Sequence, residues 1–252
     1  MLWEHVGKRA EEMRRLVFLL TTIALVLVLA SGVALAVDRI GTNGPDTLRG
    51  TNGADNLLGK GGNDALFGLT GRDNMLGGEG KDWVLGGNEQ RPLGGDKNLV
   101  GGPGNDGVQS GGGADNVLGG SGNDFVTGDS GSDSLVGEEG MDLVDGGPGS
   151  DRVGGGDGPN LLIDGPFEET SRDTLSGGDG NDAFFADNRP ATRDIVTCGP
   201  GFDRVAADER DLVASDCEQV RRGPNAGPRL EQYLERSGFF DDLFGGLAPF
   251  PG

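Results

Sequence analysis

Histidine occurs only once among the 252 residues, as His5, and tryptophan only twice, as Trp3 and Trp83. Without a histidine beyond position 5, the body of the chain cannot assemble a Ser-His-Asp triad, a Cys-His pair or an imidazole zinc site. Aromatic residues make up 6% of the chain, too few to fill a thick globular core. Basic residues are scarce as well: 21 Lys and Arg stand against 41 Asp and Glu, for a net charge of −20. An acidic surface of that size repels nucleic acid and anionic membrane, and its natural counterpart is a cation. There are two cysteines, Cys198 and Cys217. No stretch outside the repeats described below is long enough for a catalytic domain, so the chain reads as a non-enzyme.

Glycine is abundant, with 51 residues beside 12 prolines. At the N-terminus, Lys8, Arg9, Arg14 and Arg15 precede an apolar run from Leu16 to Ala30, followed by Ala34-Leu35-Ala36. This is the pattern of a signal peptide over residues 1–36, helical before cleavage, with Val37 as the mature start. Residues 16–37 are also long enough to span a bilayer, so an uncleaved anchor is the alternative, and the only route to a membrane contact. Either way the remainder is expected to be extracellular. In an oxidising compartment Cys198 and Cys217 read as a disulfide, with two free thiols as the alternative.

The rest of the chain is organised by a nine-residue period. Aligned on Asp it reads GTNGPDTLR (41–49), GTNGADNLL (50–58), GKGGNDALF (59–67), GLTGRDNML (68–76) and GGEGKDWVL (77–85). An irregular break at 86–100 places Arg91 where Asp is due. The period resumes with GGPGNDGVQ (101–109) and runs through GGPGSDRVG (146–154) to GGDGPNLLI (155–163), where Asn160 replaces Asp. Insertions at 164–172 and 186–193 separate the later copies, which end with CGPGFDRVA (198–206). Glycines at positions 1, 2 and 4 permit positive φ and close backbone approach. Position 8 is aliphatic or aromatic, as in Leu57, Val84, Val126 and Phe184, and three extended residues around it turn that side chain inward and its neighbours outward. Turn, strand, turn, strand then closes one coil per two repeats, and the position-6 aspartates stack along both edges.

These segments resemble the haemolysin-type calcium-binding (RTX) repeat, G-G-x-G-x-D-x-U-x. The resemblance implies an all-β, right-handed parallel β-roll (a solenoid) over residues 37–206, with Ca²⁺ held between stacked loops. The implied metal residues are Asp46, Asp55, Asp64, Asp73, Asp82, Asp106, Asp115, Asp124, Asp133, Asp142, Asp151, Asp173, Asp182, Asp194 and Asp203. A single repeat buries too little apolar surface to offset the ordering of nine residues, and stacked carboxylates repel, so folding and calcium binding are expected to be one event. If loops one coil apart share an ion, the uninterrupted runs 46–82 and 106–151 provide at least seven ions. Sites beside the break, Asn160 and the insertions are in doubt.

Residues 207–222 are expected to form a disulfide-closed C-terminal cap, since an open solenoid needs its end covered. Residues 223–252 read as a Gly/Pro linker followed by an apolar tail carrying Phe239, Phe240, Leu243, Phe244 and Leu247. The functional expectation is a secreted calcium-binding protein with a structural, cell-surface or matrix role. Alternatives are an adhesin or carbohydrate-binding protein using the break or the insertions to contact a surface or matrix polysaccharide, and an accessory module of a polysaccharide-acting enzyme. Trp83, at an outward position 7, would be the one tryptophan available for sugar stacking.

Overall fold

The computed structural model describes residues 36–88, 98–165, 170–186, 188 and 191–223. Residues 1–35, on which the expected signal peptide falls, Arg91 and residues 224–252 lie outside the described residues. Every named element among them is a short β-strand, and all pairings between strands are parallel. The strands form one ten-stranded and one eleven-stranded sheet. Consecutive repeats contribute alternately to the two, so Thr47–Arg49 lies in one sheet and Asn56–Gly61 in the other. Each strand pairs with the strand two repeats on: Asn56 with Asn74, Ser134 with Arg152, Leu143 with Leu161. One coil is therefore two repeats, and the molecule is the parallel β-solenoid that the period implies.

The core between the sheets is a single file of position-8 residues from each. Leu57, Leu66, Met75, Val84, Val108, Val126, Leu135, Leu175, Phe184 and Val205 belong to it and are buried. Side chains alternate across a strand, so most strands send one residue into this interior; Ala183–Ala186 and Arg204–Ala207 send two each, Phe184 with Ala186 and Val205 with Ala207.

The break at 86–100 is smaller than the sequence suggests. Trp83–Asn88 and Asn98–Pro103 are both regular strands, and Leu99 takes a place in the core with no exposed surface. Met75 pairs with Leu99 and Leu99 with Val117, so the ladder runs on across the break. The insertions likewise leave the sheets uninterrupted: Leu161 pairs with Ala183 and Thr174 with Ile195. The proposed cap is itself solenoid. Leu212–Val213 and Gln219–Arg222 add the last strand to each sheet, and Cys198 and Cys217 are joined in a disulfide with Cα atoms 5.3 Å apart.

Outward-pointing residues differ between the sheets. On the ten-stranded sheet they include the exposed, hydrogen-bonded pair Asn56 and Asn74. On the eleven-stranded sheet Leu143, Leu161, Ile163 and Phe185 form a second buried apolar cluster. Trp83 belongs to this latter face and is 9% exposed, its ring lying where a Cβ on Gly107 would be. It is not the open aromatic platform its position 7 suggests.

Four repeats carry a side chain at position 2 with positive φ: Lys60 at 85°, Leu69 at 84°, Asp129 at 53° and Glu138 at 83°. In the equivalent place Gly120 has φ 127°, and a Cβ there would strike the Gly102 carbonyl of the preceding coil. Lys60→Gly is expected to raise the stability of the calcium-loaded protein by about 0.5–1 kcal/mol, the left-handed strain relieved less the added chain entropy of glycine. Gly120→Ala is expected to lower it, and denaturant titration of both variants checks the opposite signs. Replacing Cys198 and Cys217 together by Ser opens the loop that the disulfide closes and is expected to cost about 3 kcal/mol in the same measurement.

Candidate calcium sites

Each turn between sheets presents its position-6 aspartate to the interior of the edge, not to solvent. Asp64, Asp82, Asp106, Asp124, Asp142, Asp182 and Asp203 on one edge are at most 2% exposed. So are Asp55, Asp73, Asp115, Asp133, Asp151, Asp173 and Asp194 on the other. The burial follows from a single contact repeated along each file. One carboxylate oxygen accepts the backbone N–H of the aspartate one coil earlier: Asp64 Oδ1 from Asp46 at 2.7 Å, Asp124 Oδ1 from Asp106 at 2.8 Å, Asp133 Oδ1 from Asp115 at 2.8 Å. All seven pairs expected from the uninterrupted runs make this contact.

The contact also persists where the sequence puts it in doubt. Asp82 reaches across the break to Asp106 at 2.8 Å. Asp151 bonds Asp173, Asp173 bonds Asp194, and Asp182 bonds Asp203, each at 2.6–2.8 Å. Asn160 keeps its place because only an oxygen acceptor is needed here: its Oδ1 accepts from Asp142 at 3.0 Å. The files go on past the last repeat that the period shows. Asp194 donates to Asp211 Oδ1 and Asp203 to Glu218 Oε2. Neither Asp211 nor Glu218 is identified by the nonapeptide, and spacing shortened to 17 and 15 residues hides them.

The second oxygen is the chemically active one. Oδ2 of Asp64, Asp82, Asp106, Asp124, Asp133, Asp142, Asp182 and Asp203 is buried and has no hydrogen-bond donor. Burying an anionic oxygen without a partner is costly, so its place in the fold implies a partner of another kind. The surroundings supply further oxygens. A Cβ on Gly119 would stand 2.6 Å from Asp124 Oδ2 and 2.6 Å from the Gly137 carbonyl, so carboxylate and carbonyl converge where position 1 has no side chain. Gly101 stands in the same relation to Asp106 and Gly119. A set of carboxylate and carbonyl oxygens, repeated each coil, suits a hard divalent ion such as calcium, which takes six to eight oxygen ligands. Three expected ligands differ. Oδ2 of Asp46 and of Asp55 accept the N–H of Thr42 and Thr51, each at 2.5 Å, and Asp194 Oδ2 accepts the Thr192 hydroxyl at 2.8 Å.

Desolvation shows in the acidities. Burial pushes Asp106 and Asp124 up to about 8, Asp133 and Asp142 to about 7, and Asp82 and Asp182 to about 6, neighbouring carboxylates adding to the rise. Asp46, at the open end, is instead lowered by its Thr42 hydrogen bonds. Raised values mean that the folded chain holds protons which the unfolded chain, with carboxyls near 3.8, releases. In the absence of calcium the fold therefore gains stability from protonation below about pH 4 and loses it as pH rises through about 6–8. The chelated protein is expected to gain strand content when acidified from about pH 8.5 to pH 5, and calcium half-saturation to need more ion at pH 6 than at pH 8. Far-UV circular dichroism at each pH measures both.

A known protein family matches the repeat pattern. The family model for the RTX calcium-binding nonapeptide repeat (4 copies) matches residues 40–75, 58–89, 94–126, 127–162 and 169–188. A search of curated proteins returns no match. One similar solved structure is described as "X-ray crystal structure of a hyperactive, Ca2+-dependent, beta-helical antifreeze protein from an Antarctic bacterium". Its sequence identity is 18% and its TM-score 0.49, with 83% of this chain and 66% of that chain covered, just under two thirds of the latter. The family segments together cover more than half of the residues and follow the same loops that carry the buried aspartates, so the chain belongs to the RTX calcium-binding nonapeptide repeat family.

Proposed function

We propose that this chain is an extracellular structural module, at a cell surface or in a matrix, whose solenoid forms only when calcium enters its loops. It catalyses no reaction in this reading. Calcium binding itself follows from the family; the coupling to folding rests on the buried Oδ2 atoms that have no donor. A carboxylate file of this kind is unstable as bare anions and stable once a divalent ion lies among the oxygens. In an extracellular module the sites are expected to bind at about 10⁻⁴–10⁻³ M. The disulfide supports a placement outside the cell, since such bonds persist in oxidising compartments. Among the described residues no helix is long and apolar enough to cross a membrane.

Calcium titration of the purified protein, followed by far-UV circular dichroism with magnesium as the control, tests the coupling. The expected result is coil in chelator at neutral pH and a cooperative rise of β-structure with calcium. Magnesium, which demands tight octahedral geometry and keeps its waters, is expected to give little. Full strand content in chelator at neutral pH is the contrary result.

A further inference from the structure

The lengthened coils at the C-terminal end hold acidic residues outside position 6. Asp164 stands at position 1, where regular repeats have glycine: its N–H donates to Phe185 O just as the N–H of Gly146 donates to Ile163 O. In most regular turns this position is glycine, and an added Cβ would meet the loop's own aspartate Oδ2 and a carbonyl of the next coil; Ser110 is the regular exception, its buried hydroxyl donating to the Gly128 carbonyl. Asp164 is the one position-1 residue among the described turns that brings a carboxylate there, in a coil lengthened to 22 residues. Asp164 is 3% exposed and its Oδ2 receives no hydrogen bond of good geometry; the Asn188 amide stands beside the carboxylate, its own buried Nδ2 likewise unpaired.

One oxygen each of Asp164, Asp173 and Asp194 lie within 4.8 Å of one another, and so do oxygens of Asp194, Asp208 and Asp211. The five come from three successive turns of the same edge, and Asp194 belongs to both groups. All are 5% exposed or less. Asp208 gives Oδ1 to the N–H of Arg210, and its buried Oδ2 is left without a donor. Among the described residues, the nearby arginines bond to backbone carbonyls and not to these carboxylates. Arg222 donates to the backbone carbonyls of Asp208 and Asp211, and Arg210 to that of Ala191.

Two carboxylate oxygens that accept no hydrogen bond, buried in two separate turns and flanking a shared third carboxylate, point to a bound ion. We propose that these turns form a distinct all-carboxylate calcium centre around Asp194, with Asp164 and Asp173 on one side and Asp208 and Asp211 on the other. The repeat pattern does not encode it, since Asp164, Asp208 and Asp211 all fall outside the recognisable nonapeptides. A regular turn sets one free carboxylate oxygen beside carbonyls, whereas here the free oxygens of Asp164 and Asp208 flank Asp194 and Asp211, whose oxygens already accept N–H or hydroxyl hydrogen bonds and would share them with the ion. Its charge density makes it the tightest calcium site in the chain, filled before the repeats. It thereby holds the C-terminal coils together at calcium levels that leave the rest of the roll empty.

Equilibrium dialysis of the purified protein against radioactive calcium tests the centre in Asp164→Asn, Asp208→Asn and, as a repeat-site control, Asp124→Asn. Wild type is expected to show a tight class and a weaker, cooperative class. Asp164→Asn and Asp208→Asn weaken the tight class by more than about tenfold, while Asp124→Asn leaves it intact and depletes the weaker class. Isotherms of Asp164→Asn and Asp208→Asn that superimpose on wild type overturn the centre and leave the repeat sites standing. A tight class without a weaker one upholds the centre and removes the repeat-site reading. Melting temperatures separate ligation from a purely structural role. Removing a buried like charge is expected to leave the melting temperature in chelator equal or higher and to shrink its rise with calcium. An equal loss with and without calcium overturns the proposal.

Discussion

A carboxylate buried with one oxygen on a backbone N–H and the other facing no donor is the arrangement on which this molecule depends. The first oxygen makes the aspartate part of the backbone ladder, fixing the stacking of turns one coil apart. The second is left in a pocket of oxygens. Neither half works alone. Without the N–H contact the aspartate would be free to swing into water, and without a counter-ion its burial would oppose the fold. Position 6 therefore combines, in one side chain, an acceptor in the backbone ladder and an oxygen placed for an ion, and a small residue at position 1, usually glycine, lets the carbonyl of the next coil approach it.

The same constraint explains the thinness of the rest. With one inward residue on most strands, the core is a double file of Leu, Val and Met, supplemented at the C-terminal end by Phe184, Ala186, Ala207 and the half-cystine Cys198. Those late coils replace position-1 glycines by Asp164, Ala186, Cys198 and Ala207, where the middle of the roll has glycine or, once, Ser110. Lengthened coils and a disulfide accompany the change, so the C-terminal end is built by different means from the middle.

Much of this was legible in the period. Position 8 identified the core, position 6 identified both edge files, and the eighteen-residue coil followed from two repeats per turn. What escaped the period escaped for physical reasons. Leu99 lies in a stretch whose Asp register is lost, yet the strand needs only its Asn-Leu-Val-Gly-Gly pattern to pair. Asn160 reads as a defect and is an adequate acceptor, because the ladder requires an oxygen and not a charge. Asp164, Asp208 and Asp211 could be recognised only once the turns were known to stack, since nothing in their spacing links residues 164 and 208. Trp83 shows the converse: alternation turned it outward, but its ring lies over the position of Gly107 on the neighbouring strand and is 9% exposed.

Native mass spectrometry of the protein at neutral pH measures the central claim most directly, since it counts ions on folded and unfolded species separately. Compact charge states are predicted to carry at least seven calcium ions, the number of aspartate pairs stacked in the uninterrupted runs. Ion-free protein is predicted only in the extended charge states. A compact, calcium-free population at neutral pH would show that the buried carboxylates need no divalent partner, and would contradict the account.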